Sequence, residues 1–165
     1  METALDRLAK KYKKHNSETI VKIHYTKISN DQKLRGLVAT NDIPKGVLIA
    51  TYPVIALSWK TASDIQNDYI LTIHDANTGN AIKSDLVGIP TLESLNLETM
   101  DSIGLPPIGM FVNEPLTGAP NCEIMFPTVF AKEVPSLKGR TLYGFIRSTK
   151  KIKKGKELYV CYAAP

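Results

Sequence analysis

The punctuation of this chain by turn residues is what most limits how it can fold. From Thr19 onward, short runs rich in β-branched and aromatic residues are cut at close intervals by Gly, Pro, Asn and Asp. That pattern predicts short strands joined by tight connections rather than long helices. Thr19-Ile20-Val21-Lys22-Ile23-His24-Tyr25 alternates in part, and Gly36-Leu37-Val38-Ala39-Thr40 follows a polar turn. In Asn41-Asp42-Ile43-Pro44-Lys45-Gly46, Pro fixes φ and Gly is free to take positive φ, so this is a turn. A strand over 47–52 is expected to continue past Pro53 over 54–59. Runs at 68–73 and 81–83 flank a loose hairpin turn over 75–80. A short helix is expected over 91–101, and strands near 123–130, at 141–146 and at 157–162. Before all of these, Leu5, Leu8 and Tyr12 make one apolar stripe behind a Thr3 cap. The expectation is a mainly β (α+β) domain over 19–165 behind an N-terminal helix within 1–18.

At 165 residues the chain is long enough to bury one core. No apolar run approaches the roughly 20 residues that span a bilayer, and the start, Met1-Glu2-Thr3, lacks the apolar stretch of a signal peptide. Cys122 and Cys161 are the only cysteines. Two lone thiols suit a reducing compartment and cannot build a zinc cluster by themselves. An intracellular protein without membrane contact is expected. The net charge of +5 suits acidic partners, and the lysines at 10–14 and 150–156 suit nucleic acid.

Common catalytic signatures are absent. His15, His24 and His74 show no metal-ligand spacing, so no metal is expected, and there is no nucleophile elbow, phosphate loop or dinucleotide-binding glycine run. What stands out instead is Met110-Phe111-Val112-Asn113-Glu114-Pro115-Leu116-Thr117-Gly118-Ala119-Pro120-Asn121-Cys122. An apolar entry leads into a polar turn, where main-chain groups can face a ligand.

Four stretches, in order, resemble the SET-domain protein lysine methyltransferases. The segment from Arg35 to Tyr52 resembles the family's opening glycine turn and Asp-Ile-Pro-Lys-Gly run. Asp68-Tyr69-Ile70-Leu71 resembles its central tyrosine strand. Phe111-Val112-Asn113 with Pro120-Asn121-Cys122 resembles its Phe-(Ile/Val)-Asn-His-Ser-Cys-x-Pro-Asn motif, and Ile146-Arg147 through Ile152 to Leu158, ending at Tyr162, resembles its closing motif. The resemblance implies a β-clip of small sheets with a threaded C-terminal segment. It implies S-adenosylmethionine as methyl donor and a protein lysine, on a histone tail for example, as acceptor. Arg35, Gly36, Leu37, Asn113, Glu114 and Tyr162 would hold the donor, while Tyr162 at the transfer point and Tyr69 along the lysine channel would be the catalytic residues. The chemistry is coherent, because a lysine with pKa near 10.4 loses its proton more readily in a dry channel beside a second positive charge.

The departures are specific. Leu34 stands at the family's first glycine, and Glu114-Pro115 replaces His-Ser. Val160 replaces the aromatic residue that tunes how many methyl groups are added. No cysteine-rich flank follows Tyr162, so residues 1–18, the 91–108 insert or a second subunit, as in a homodimer, would close the channel. The alternative implied by Leu34 and Glu114-Pro115 is a SET-like module without catalysis that holds a protein or nucleic-acid partner on its basic surface.

Overall fold

A computed structural model describes residues 20–27, 33–64, 70–80, 82, 86–89, 105–127 and 129–161. The helix expected over 3–14 and the one over 91–101 lie outside these residues. Strands β1 (Val21–Lys27) and β2 (Lys33–Ala39) form an antiparallel pair in register Val21↔Ala39 to Lys27↔Lys33. Next come β3 (Leu48–Ser58), the short helix α1 (Trp59–Asp64), β4 (Leu71–Thr72) and β5 (Leu86–Ile89). A 3₁₀ turn, Gly109–Phe111, precedes β6 (Cys122–Met125). A second 3₁₀ turn, Ala131–Glu133, leads into helix α2 (Val134–Leu137) and then β7 (Thr141–Ser148). The second sheet has the order β4-β5-β3-β7-β6.

Strand β3 is the spine. It is nearly continuous in apolar residues and buried from Ile49 to Val54, as expected of a strand covered on both faces. It pairs with β7 over Leu48–Ile55 and with β5 only from Ile55 onward. Pro53 therefore sits before β5 begins, where its missing N–H deprives no strand partner. Two residues earlier on that side, Thr51 N donates to Pro106 O at 3.0 Å. Strand β7 alternates half-buried and buried positions along its length, the period of a strand with one face on the core.

Several expectations change in detail: the strand near 123–130 ends at Met125, and β5 lies outside the expected runs. The hairpin after β3 closes at Asp75 N to Asn80 O (2.8 Å) and Ile82 N to Ile73 O (3.0 Å), but β4 takes β5 as its ladder partner. The closing run at 157–162 is no strand in the described residues. It makes isolated bridges, Val38↔Glu157 and Asn113↔Tyr159, because it changes neighbours within two residues and no ladder can extend. The core gathers Leu37, Ile49, Tyr52, Met110, Ile146 and Leu158 from every one of these layers.

Candidate functional site

The site begins with that closing run. On one side, Leu158 N donates to Leu37 O (2.8 Å) and Ala39 N to Lys156 O (2.9 Å). On the other, Val160 N donates to Asn113 O (3.0 Å), while Asn121 N and Cys122 N both donate to Tyr159 O (3.2 and 3.0 Å). The side chain of Asn121 completes the grip: its Nδ2 donates to Glu157 O (3.0 Å) and its Oδ1 accepts from Tyr159 N (2.8 Å). Leu158 and Val160 point into the core and are fully buried. The C-terminal segment thus passes between β2 and the 113–121 stretch, held from both sides.

This passage brings Gly36, Asn113 and Glu157 together. Asn113 Nδ2 donates to Glu157 Oε2 at 3.3 Å. A Cβ on Gly36 would lie 3.0 Å from the Glu157 carboxyl and 3.1 Å from Asn113 Nδ2. Gly36 is not among the glycines with positive φ. Its need is for space beside a polar pair, the close approach that only a residue without Cβ allows. Asn113 itself is placed by the 3₁₀ turn before it. Gly109 lies so close to β3 that a Cβ there would be 2.7 Å from Thr51 O, and Val112 N closes the turn on Gly109 O at 3.1 Å. Burial, the Glu157 charge and a hydrogen bond to Glu157 together raise the Tyr159 phenol above its ordinary value.

Of the residues expected to hold a donor, Gly36 and Asn113 meet. Leu37 lies alongside, its side chain in the core and its carbonyl taken by Leu158 N. Arg35 is in β2, paired with Tyr25. Glu114 is exposed beyond Asn113. Tyr69 and Tyr162 lie outside the described residues. Two residues were legible only as parts of motifs. Glu157 proves to be the partner of Asn113 and the neighbour of Gly36, and Asn121 proves to be a clamp. Nothing in their local sequence names these partners, which come from distant segments.

Next along the chain, Cys161 borders a groove of about 560 Å³ that is also lined by residues of the 71–76 stretch, β6 through Pro127, Pro120 and Arg147. Cys161 precedes Tyr162 directly. Arg147 Nε donates to Glu123 Oε1 at 2.7 Å on the groove wall. Among the described residues, no three His, Cys, Asp or Glu side chains gather as a metal set, and no helix is long and apolar enough to cross a membrane.

The family model for the SET domain matches residues 34–163. The chain is similar in structure to a Plasmodium falciparum "putative histone methyltransferase", at 14% identity and a TM-score of 0.44, over 86% of this chain and 92% of that one. None of the curated proteins compared with it matches its sequence.

The two groove thiols differ in a measurable way. Neither is in a disulfide, with Cys122 buried and Cys161 exposed. Burial, with a smaller contribution from Glu123, pushes the Cys122 thiol up to about 12, so it stays protonated and unreactive at neutral and mildly alkaline pH. Iodoacetamide at pH 8 is expected to label Cys161 in the native protein and Cys122 only after denaturation. Peptide mass spectrometry showing equal native labelling would contradict this burial.

Proposed function

The chain belongs to the SET-domain family, and from that premise we propose that it transfers a methyl group from S-adenosylmethionine to a lysine of a protein substrate. The observation that carries this reading is the meeting of Gly36, Asn113 and Glu157 at the segment that leads to Tyr162. A carboxylate and an amide beside a glycine-lined main chain suit a cationic amino-acid ligand, because hydrogen bonds to charged groups are the stronger ones. When bound, S-adenosylmethionine supplies the electrophilic methyl group. Gly36 lets Asn113 and Glu157 pack against the main chain, Asn113 offers its amide to a polar end, and Glu157 fixes that amide and adds negative charge. Arg35 and Leu37 on β2 and Glu114 beyond Asn113 are proposed to contribute main-chain contacts.

We assign the groove that ends at Cys161 to the lysine-bearing substrate, with Tyr69 along its channel and Tyr162 at the transfer point. A mostly apolar wall beside a positive donor favours the neutral amine, so the residues need to orient and dehydrate it rather than remove its proton by a dedicated base. A histone tail is one substrate of suitable chemistry. The SET domain is taken to begin at residue 19, since Val21 and Ile23 of β1 are buried in the common core. An intracellular location is part of the same proposal, in which residues 1–18, the 91–108 insert or the second subunit of a homodimer closes the channel. Size-exclusion chromatography with light scattering tests the dimer, and a strictly monomeric protein removes it.

Two substitutions test the donor pocket. Asn113→Ala is expected to weaken S-adenosylmethionine binding in calorimetry by about 1–3 kcal/mol, the cost of leaving a polar group without its partner. Gly36→Val is expected to be worse, since its side chain would collide with Glu157 and Asn113. Parental affinity in both variants, with the fold intact by circular dichroism, would remove the pocket. Tyr162→Phe tests the transfer point separately. It keeps the ring and removes the hydroxyl, so donor affinity is expected to hold while turnover falls about 100- to 1000-fold, as for other single polar groups lost from a dry site. Tritium transfer from labelled donor to histones and to lysate proteins gives the readout, and full activity in that variant would contradict the assignment.

A further inference from the structure

We propose that the paired turns at 42–46 and 151–155 form a docking platform for the phosphate backbone of double-stranded nucleic acid. The turns share one plan. Ile43-Pro44-Lys45-Gly46 and Ile152-Lys153-Lys154-Gly155 each run from a buried isoleucine through lysine to a glycine at positive φ, 86° and 88°. The two isoleucines pair back to back, Ile43 N donating to Ile152 O at 2.7 Å and Ile152 N to Ile43 O at 2.8 Å. Asp42 Oδ1 accepts from Lys154 N at 2.9 Å. Ser148 Oγ, itself buried, donates to Pro44 O at 2.6 Å and accepts from Val47 N at 2.9 Å. The base of the platform is therefore tied at several points.

From this base Lys45, Lys150, Lys151, Lys153, Lys154 and Lys156 all project to solvent as exposed residues. The one carboxylate on the two turns, Asp42, already accepts a main-chain N–H. Lysines gathered on two joined turns create a concentrated positive field. Such a field recruits a polyanion.

The side chains that accompany the lysines decide which polyanion. Protein interfaces are rich in aromatic residues, Met and Arg and poor in Lys. Membrane-surface segments add Trp, Phe or Leu to their basic face. Single-strand sites stack bases on aromatic rings. The two turns carry no aromatic residue, no leucine and no arginine, and Leu48 is exposed two residues beyond Gly46. Lysine alone is a point charge suited to phosphate, and contacts to phosphate position a duplex without reading its sequence. Lys156 is followed at once by Glu157, so a duplex on this platform lies beside the proposed donor pocket. A lysine-bearing protein seated on the same duplex would be brought to the enzyme by it.

The test is fluorescence anisotropy with a short labelled duplex of random sequence, titrated between roughly 50 and 200 mM salt. Log affinity is expected to fall linearly with log salt. Replacing Lys153, Lys154 and Lys156 by alanine together is expected to flatten that slope by about one unit per lysine. Replacing Lys60, Lys132 and Lys138, exposed residues elsewhere, is expected to leave it unchanged. Calorimetry with S-adenosylmethionine accompanies the titration, and unchanged donor affinity in the platform variant separates loss of docking from damage to the pocket. Equal slopes in the two triple variants would overturn the proposal. So would tighter binding to a single strand, to poly-glutamate or to anionic vesicles than to the duplex.

Discussion

The two-sided grip on residues 156–160 is the constraint on which the rest of this molecule depends. Main-chain groups buried without partners are costly, and here the carbonyls of Lys156, Glu157 and Tyr159 and the amides of Leu158, Tyr159 and Val160 all find partners. Those partners belong to β2 on one side and to Asn113, Asn121 and Cys122 on the other. The grip therefore joins the two-stranded sheet to the rest of the chain. It also sets the distance between Gly36 and Asn113, because both face the same short segment. Leu158 and Val160 anchor it in the core, so apolar burial and hydrogen bonding favour one position of the run.

Local pattern made much of this legible and long-range contact hid the rest. Strands β3 and β7 of the second sheet could be read because β7 alternates and β3 is a continuous apolar run, two signals that a short window contains, whereas β5 lies outside the expected runs. The extension of β3 past Pro53 was readable for the same reason. Helix α2 was not, because Val134-Pro135-Ser136-Leu137 is a single turn with no room for a helical period, and Pro135 is as common in loops as at a helix start. The final run reads as a strand from its composition, yet its neighbours change from Val38 to Asn113 within two residues. Only the tertiary fold supplies that information.

The candidate site follows the same division. Gly36 and Asn113 could be picked from motifs, but the reason for the glycine could not. A glycine at that point suggests either positive φ or a close approach, and the crowding by Glu157 and Asn113 decides for the second. Glu157 is legible only as a member of the closing motif until the fold turns it toward Asn113. Each lysine turn could be read singly, but their pairing through Ile43 and Ile152 could not.

One proposal stands above the others: that the methyl donor binds against the cluster of Gly36, Asn113 and Glu157. A crystal structure of the protein with S-adenosylhomocysteine, the demethylated donor, tests it most directly. The account predicts the amino-acid end of that ligand against Asn113, its chain running along the main chain at Gly36, and its sulfur directed toward the groove at Cys161. A ligand bound elsewhere, or crystals that stay empty at saturating ligand while the segment 156–160 keeps its place, would contradict it.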